Sequence, residues 1–182
     1  MKKRLKRVKK REGFGLSEIS ILLSNYEEIF SDFDPRPYHQ KALSVDFLQE
    51  IKRASYDKEK LELKLLVPKK TRHLVHERDI KKRLKEHFKK HYLLMGKEIR
   101  KIKNRGWIFV FLGLVMITAA SILSSLGSSK IFIHFVTVLF EAGGWFTGWT
   151  GLDQIYYTVG NKTADFEFYR KTYKCKISFV HY

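Results

Sequence analysis

One run of the sequence restricts the fold more than any other feature. Residues 107–126, WIFVFLGLVMITAASILSSL, contain no charged side chain. Twenty helical residues extend about 30 Å, which matches the hydrocarbon core of a bilayer. A second apolar run covers residues 131–152 and is interrupted by one charged residue, Glu141. We therefore predict two transmembrane helices joined by an extracytoplasmic turn at 127–130, in preference to a buried hairpin of a soluble core.

Basic residues are concentrated on one side of this hairpin. The chain carries 36 Lys and Arg against 19 Asp and Glu. Thirty of the basic residues precede residue 107, five follow residue 152, and one, Lys130, lies in the turn. Segments rich in Lys and Arg stay on the cytoplasmic side of a membrane. The distribution predicts a multi-pass protein of the cell (inner) membrane with both termini in the cytoplasm.

The segments outside the hairpin predict a small cytoplasmic α+β domain built from both ends of the chain. Residues 17–106 are expected to contain amphipathic helices, a strand and a long basic stalk helix. Residues 153–182 are expected to add a helix and a strand that pack on the first region. The predicted fold class is therefore an α+β membrane protein, in which a short sheet of about two strands lies on amphipathic helices. Because two strands alone are marginal in water, the sheet needs helices or strands of another subunit.

Hydrophobic spacing gives the individual elements. We predict an amphipathic helix over Ser17–Phe30 and a second helix that begins after Ser44. The clearest strand is 61–67, and strand 175–180 is its natural partner. The second helix is expected to carry Val45, Leu48 and Ile51 on one face. The long basic helix over 76–105 carries an apolar stripe of Ile80, Leu84, Phe88, Tyr92, Met95, Ile99 and Ile102.

The first sixteen residues form a basic tail for which we expect no fixed structure. Eight of its first eleven residues are Lys or Arg. Near a membrane such a cluster attracts anionic lipid headgroups at about 1 kcal/mol per basic residue, and nucleic acid is the competing partner. The predicted lipid contacts are Lys2, Lys3, Arg4, Lys6, Arg7, Lys9, Lys10 and Arg11.

The second predicted span contains polar and small residues. Glu141 lies near the middle of the span, where a lone charge is costly, and His134 lies seven residues earlier on nearly the same helical face. This pair indicates either a proton or ion path or a polar contact that fixes helix packing. Small residues at spacings of three and four favour close helix contact, and tryptophans favour the membrane interface. We assign helix packing to Gly144, Gly148 and Gly151, and interface anchoring to Trp107, Trp145 and Trp149.

No group of residues in the sequence indicates catalysis. The single cysteine, Cys175, falls in a predicted strand and is expected to be buried there. His87 and His91 are four residues apart on a helix, but lysines surround them and would repel a cation. We therefore expect no catalytic residue, no metal site and no cofactor.

Several segments together resemble one group of proteins. FDPRPYHQKALSVDFLQEI, LELKLLVP, IKKRLKEHFKKHY and, after the two apolar runs, E…GW…W are similar in order to small prokaryotic two-span membrane proteins. The resemblance covers roughly residues 30–180. It implies a transmembrane hairpin with a cytoplasmic α+β domain, and it implies no particular activity.

These observations favour a protein that binds or assembles at a membrane. The expected partners are anionic membrane lipids and further copies of the chain. An alternative is a small oligomeric channel or membrane-perturbing effector that uses Glu141. A weaker alternative is a membrane-tethered nucleic-acid binder, for which the net charge of +17 is the reason.

Overall fold

A computed structural model describes residues 18–58, 60–126 and 130–182. The predicted basic tail, with its eight lipid-contact residues, and most of the predicted turn at 127–130 lie outside the described residues. The strands are β1 (Glu18–Leu22), β2 (Glu62–Val67) and β3 (Lys176–His181). The helices are α1 (Val45–Ala54), α2 (Leu74–Ser125), α3 (Ile131–Asp153) and α4 (Val159–Lys174). Short 3₁₀ helices cover Tyr26–Ile29 and Lys69–Thr71, and a π-helical segment, Gln154–Thr158, joins α3 to α4.

The chain divides into two compact units. The first comprises Met1–Tyr92 with Glu167–Tyr182, and the second comprises Leu93–Phe166. The first unit therefore contains the sheet, and the second contains the paired apolar helices. In the second unit, α2 residues beyond Tyr92 pack on the first half of α4. Gly96, for example, lies against the ring of Phe166.

The sheet has three parallel strands in the order β1–β2–β3. The prediction of about two strands is therefore wrong by one strand, although β2 and β3 are paired as expected. Each parallel neighbour needs a crossover connection, and the sequence supplies two of very different lengths. A short crossover through α1 joins β1 to β2, whereas α2, α3 and α4 all lie between β2 and β3.

The prediction of a helix over Ser17–Phe30 is wrong. Glu18–Leu22 forms a strand, and Tyr26–Ile29 forms a short 3₁₀ helix. The apolar residues fit a period of two as well as a helical period, because Ile19 and Ile21 alternate with Glu18 and Ser20. β-branched residues favour strands, and the parallel register with β2 decides between the two periods.

One face of the sheet and three helices form the core of the first unit. Buried residues on this face include Ile19, Leu63, Leu65, Val67 and Ile177. The first part of the predicted stripe on α2 packs against them, since Ile80, Leu84 and Phe88 are fully buried. The opposite face of the sheet is polar except for the row of Leu22, Leu66 and Val180 toward the strand ends. On this face Lys64 forms an ion pair of 2.7 Å with Glu18 of the neighbouring strand.

The helix after Ser44 is confirmed, and so is part of its predicted face, because Ile51 is buried and Leu48 packs against the core. The Ser44 side chain accepts a hydrogen bond from the Phe47 backbone N–H and so caps the helix. Phe47 and Ile51 are buried, whereas Val45 is 65% exposed. Aromatic Phe47 offers more apolar area than Val45, which explains why the helix turns this side toward the sheet.

Two helices are long and apolar enough to cross a membrane, as the sequence predicts. The first is the apolar half of α2, which runs as a single helix of 52 residues through the predicted boundary between stalk and span. The second lies in the continuous helical stretch that starts with α3. The predicted C-terminal helix is also confirmed, as α4.

Candidate functional site

In the second unit, α2 and α3 touch through glycine. A Cβ atom added to Gly113 would lie 2.6 Å from the Gly144 carbonyl oxygen and 2.6 Å from the Gly148 nitrogen. A Cβ atom added to Gly151 would lie 2.5 Å from the Gly106 carbonyl oxygen. Real Cβ atoms do not approach other heavy atoms this closely, so larger residues would push the helices apart. The two backbones are in direct contact, which is the geometry that small residues permit in membrane helix pairs.

The three glycines that were assigned to helix packing have different roles in the structure. Gly144 and Gly151 are buried and point at the backbone of α2. Gly148 contributes its backbone to the contact with Gly113, but a Cβ atom added to Gly148 would meet nothing within 4 Å. On α3 a side chain would therefore clash at Gly144 and at Gly151 but not at Gly148.

Sequence reasoning missed the matching row on α2. Gly106, Gly113 and Ala120 are buried and follow one another at intervals of seven residues. A side chain on Gly106 would also strike Ile155, at 2.7 Å from its Cγ1 atom. The signal is present in the sequence, because small residues repeated every seven positions mark one face of a helix.

Glu141 and His134 are exposed on α3. Within the described part of the chain, neither side chain forms a hydrogen bond or an ion pair. Seven residues separate them by about 10 Å along the helix axis, which is too far for a direct hydrogen bond. The structure therefore does not bring the two residues together as a relay within one chain.

Aromatic residues surround the level at which Gly106 meets Gly151. Trp107 follows Gly106 directly, and Trp149 lies two residues before Gly151. All three tryptophans assigned to anchoring are exposed, and Trp145 lies one helical turn before Trp149. Tyr156 and Tyr157 are exposed in the adjoining π-helical segment. From Trp145 to Tyr157 these residues extend over about 18 Å of helix, and exposed tryptophan and tyrosine near the end of an apolar helix are typical of a membrane–water interface.

A basic stripe precedes the apolar half of α2. We use this name for Lys97, Arg100, Lys101, Asn104 and Arg105, which line one shallow surface of the helix. Lys97 and Gly106 are nine residues apart, which at 3.6 residues per turn places them about 180° apart around the helix. The stripe therefore faces away from the side of α2 that contacts α3.

The basic stripe has little acidic compensation. Between residues 87 and 140 the sequence contains one acid, Glu98. Its carboxylate pairs with Lys162 of α4 at 2.6 Å. Among the described residues, the four cations of the stripe form no ion pair. They present a local positive charge at the start of the apolar segment.

In the first unit, a buried polar cluster lies where the three parallel strands end. Glu77 of α2 accepts a hydrogen bond from the Tyr26 hydroxyl at 3.2 Å and pairs with His181 Nε2 at 3.0 Å. The Tyr26 hydroxyl in turn accepts from the His73 backbone N–H at 3.2 Å. Burial raises the pKa of Tyr26 and keeps the phenol protonated. We call Tyr26, Glu77 and His181 the strand-end clasp, because they join the 3₁₀ helix, α2 and β3.

A surface groove of about 430 Å³ lies beside the clasp. Tyr38 and His76 pack edge to face on its wall, with ring centroids 4.9 Å apart. Burial and a hydrogen bond to Glu27 raise the pKa of Tyr38 to about 12. The Lys41 ammonium and the Tyr38 hydroxyl lower the pKa of Glu27. These groups are engaged with one another, so the groove presents ordered polar contacts rather than a free base.

His87 and His91 lie side by side on α2, with ring centroids 4.3 Å apart. His91 stacks on Tyr169 of α4 at 5.0 Å. Burial lowers the pKa of His87 to about 4 and also lowers that of His91. Within the described residues, no group of three or more His, Cys, Asp or Glu side chains could hold a metal ion.

No protein-family model, curated protein or solved structure matches this chain. The resemblance to small prokaryotic two-span proteins therefore stays a prediction. The functional argument depends on the geometry and charge of the residues themselves.

Proposed function

We propose that the chain is an integral membrane protein of two spans that acts as a binding or assembly module. In this proposal α2 and α3 cross the cell membrane, and the basic first unit is held on the cytoplasmic side, where it meets an anionic partner. No catalytic centre is part of the proposal. The function rests on membrane integration, and the observation that carries it is the surface of the α2–α3 pair.

That surface is apolar on the outside and joined by backbone contact on the inside. Exposed large apolar residues occupy both helices along their whole apolar lengths, among them Phe111, Leu114, Ile122, Phe135 and Phe146. A soluble protein rarely exposes so large a contiguous apolar patch, whereas lipid chains cover one without cost. The basic residues before Gly106 and the exposed aromatic residues beside it fit the border of such a membrane.

Alkaline carbonate extraction of membranes tests integration. We expect the protein to stay in the membrane pellet, because two apolar helices cannot leave the bilayer at high pH. The double substitution Leu114→Arg and Ile122→Arg should move at least about half of the protein to the soluble or aggregated fraction, since a central arginine costs about 2.5–3.5 kcal/mol. Release of the unaltered protein into the supernatant would contradict the proposal.

Phe33→Arg is the matched control for this substitution. Phe33 is also a large exposed apolar residue, but it lies in the first unit, outside the candidate spans. Its replacement should leave extraction unchanged. An equal loss in Phe33→Arg would indicate a general folding defect instead of a failure of insertion.

A small oligomeric channel is a second candidate, and Glu141 is the observation that favours it. In the described chain this carboxylate is exposed and without a partner, although it lies in the middle of α3. Several copies of the chain could cover it and line a path with it. Liposomes containing the protein should then leak ions, and Glu141→Gln should lower the flux about tenfold or more, whereas Asp153→Asn at the end of α3 should not. A strictly monomeric protein in native mass spectrometry would exclude this candidate.

A further inference from the structure

We propose that the face of α2 from Lys97 to Val115 is a binding site for one anionic phospholipid. The phosphate would lie on the basic stripe, and an acyl chain would run along the apolar residues that follow it. The inference rests on the proposed membrane integration. It goes further, because it assigns a ligand class to a particular set of residues outside the basic tail.

The polar half of the site is the basic stripe. Lys97, Lys101 and Asn104 follow one another at steps of four and three, so their side chains stand above one another on the helix. Arg100 and Arg105 flank them on either side. Glu98, the acid nearest to the stripe in the sequence, pairs with Lys162, and among the described residues the four cations of the stripe form no ion pair. Guanidinium and ammonium groups that are free of carboxylate partners are suited to bind phosphate oxygens.

The apolar half continues the same face of the helix. Ile108 borders the basic stripe directly. Phe111, Leu112 and Val115 follow at helical spacing, and all of these residues are exposed. From Ile108 to Val115 the helix rises about 10 Å, which lies within the roughly 15 Å that one leaflet contributes to a 30 Å hydrocarbon core.

The level of the site agrees with this ligand. The change from cationic to apolar side chains falls between Arg105 and Ile108, beside Trp107. Tyr156 and Tyr157 are exposed where the chain passes from α3 to α4, next to the contact of Gly106 with Ile155. The aromatic residues and the change in charge both fall near the end of the apolar segment that Gly106 marks, which agrees with a headgroup layer there.

A phospholipid fits this face better than the other anionic ligands do. Free phosphate would use the cations alone and would make no contact with the apolar residues that follow them. Nucleic acid would bind through the cations alone, those of the stripe and the lysines that precede it on α2, and would make no use of the adjoining apolar face. An anionic lipid requires a cationic surface for its phosphate and an apolar surface next to it for its acyl chains, and this face of α2 has both.

Lipid retention in native mass spectrometry tests the site. The full-length protein is released from nanodiscs of phosphatidylcholine that contain phosphatidylglycerol, and bound phosphatidylglycerol is counted. We expect at least about a tenfold loss of retained phosphatidylglycerol when all four cations of the stripe are changed. The variant combines Lys97→Gln, Arg100→Gln, Lys101→Gln and Arg105→Gln.

A control variant removes the same number of charges from an earlier part of the same helix. It combines Lys82→Gln, Lys85→Gln, Lys89→Gln and Lys90→Gln, and we expect retention within about twofold of the unaltered protein, because these positions are more than a helical turn from the headgroup layer. Equal losses in the two variants would overturn the site in favour of general electrostatic attraction. The basic tail is intact in both variants and contributes equally.

Competition separates the ligand classes. We expect neither soluble glycerophosphoglycerol nor a single-stranded oligonucleotide to displace phosphatidylglycerol at equal concentration. Displacement by glycerophosphoglycerol would overturn the acyl half of the site. Displacement by the oligonucleotide would overturn the lipid assignment in favour of nucleic acid. If the unaltered protein resists carbonate extraction but retention is the same in the stripe variant, this inference fails alone. If the unaltered protein is extracted, the proposed function fails as well.

Discussion

At the scale of single residues, the glycines between α2 and α3 show which positions of the contact have no room for a side chain. Gly113 is buried against α3, and its neighbours are backbone atoms that cannot rotate out of the way. Gly148 lies across the same contact, yet the space in front of its own Cα is open. The two glycines therefore allow a matched comparison at one position of the helix pair.

Replacing Gly113 should destabilise the helix pair. Gly113→Ala places a methyl group at 2.6 Å from two backbone atoms of α3, so the helices must separate at a cost of about 1–3 kcal/mol. Gly148→Ala should be neutral, or slightly stabilising through its helix propensity. Unfolding in mixed micelles, followed by circular dichroism, measures the difference. Equal stability of the two variants would show that this close contact does not form.

His87 gives the first unit a dependence on pH. Its pKa is about 4 in the folded chain against 6.5 for a free histidine, because burial disfavours the charged ring. Between these values the unfolded chain binds a proton that the folded chain does not. The free energy of unfolding should therefore fall as the pH is lowered from 6.5 to 4, by about 1–2 kcal/mol once partial exposure is allowed for.

Thermal unfolding at pH 7 and pH 5 measures this dependence. His87→Phe keeps an aromatic ring at the site and removes the titrating group, so it should be less sensitive to the change in pH than the unaltered protein. His39→Phe is the control, since His39 is exposed and its replacement should preserve the full dependence. If the thermal stability of His87→Phe depends on pH as strongly as that of the unaltered protein, other groups cause the effect.

At the scale of elements, the strand-end clasp holds together segments that are distant in the sequence. Tyr26, Glu77 and His181 come from a 3₁₀ helix, from α2 and from the last residue of β3. Their side chains are largely shielded from solvent, and Glu77 is the acceptor for both the Tyr26 hydroxyl and His181 Nε2. The clasp closes the sheet at the ends of its strands, where parallel sheets commonly bind ligands.

Removing the central carboxylate should loosen β3. Glu77→Ala leaves the Tyr26 hydroxyl and a buried His181 nitrogen without their acceptor, which should lower the free energy of unfolding by about 2 kcal/mol or more. Glu98→Ala breaks the exposed pair with Lys162 and should cost less than about 1 kcal/mol. Hydrogen exchange of the β3 amides measures the local effect. Unchanged protection in Glu77→Ala would show that the clasp does not hold the strand.

At the scale of the whole molecule, the order of elements makes membrane topology a condition of folding. The sheet needs β3, which follows the hairpin, as well as β1 and β2, which precede it. Both flanks of the hairpin must therefore be on the same side of any membrane that it crosses. The distribution of basic residues predicts that this side is the cytoplasm.

Labelling with a membrane-impermeant maleimide tests this topology in a Cys175→Ser background. Lys130→Cys, between α2 and α3, should react in cells whose inner membrane is intact. Lys176→Cys, whose side chain is exposed at the start of β3, should react only after that membrane is permeabilised. The opposite pattern would reverse the predicted orientation, and reaction of both positions in intact cells would contradict a hairpin that crosses the membrane.

Local patterns in the sequence determined the long elements. The uncharged run at 107–126 and the alternation at 61–67 each fit one period clearly, so the apolar half of α2 and strand β2 could be predicted from their own residues. Burial of Ile80, Leu84 and Phe88 followed from their spacing. The position of the tryptophans and the basic residues at the border of the apolar runs could be read in the same way.

Tertiary structure decided what these local patterns left open. Residues 18–22 fit two periods, and the pairing with β2 selected the strand. The partner of Gly144 could not be read from α3 alone, because helix contact depends on which face of α2 carries Gly113. Glu77 and His181 are 104 positions apart and meet only because the third parallel strand returns to the sheet after the hairpin. Local sequence sets the period of an element, whereas the choice of neighbour depends on contacts between segments that only the folded chain brings together.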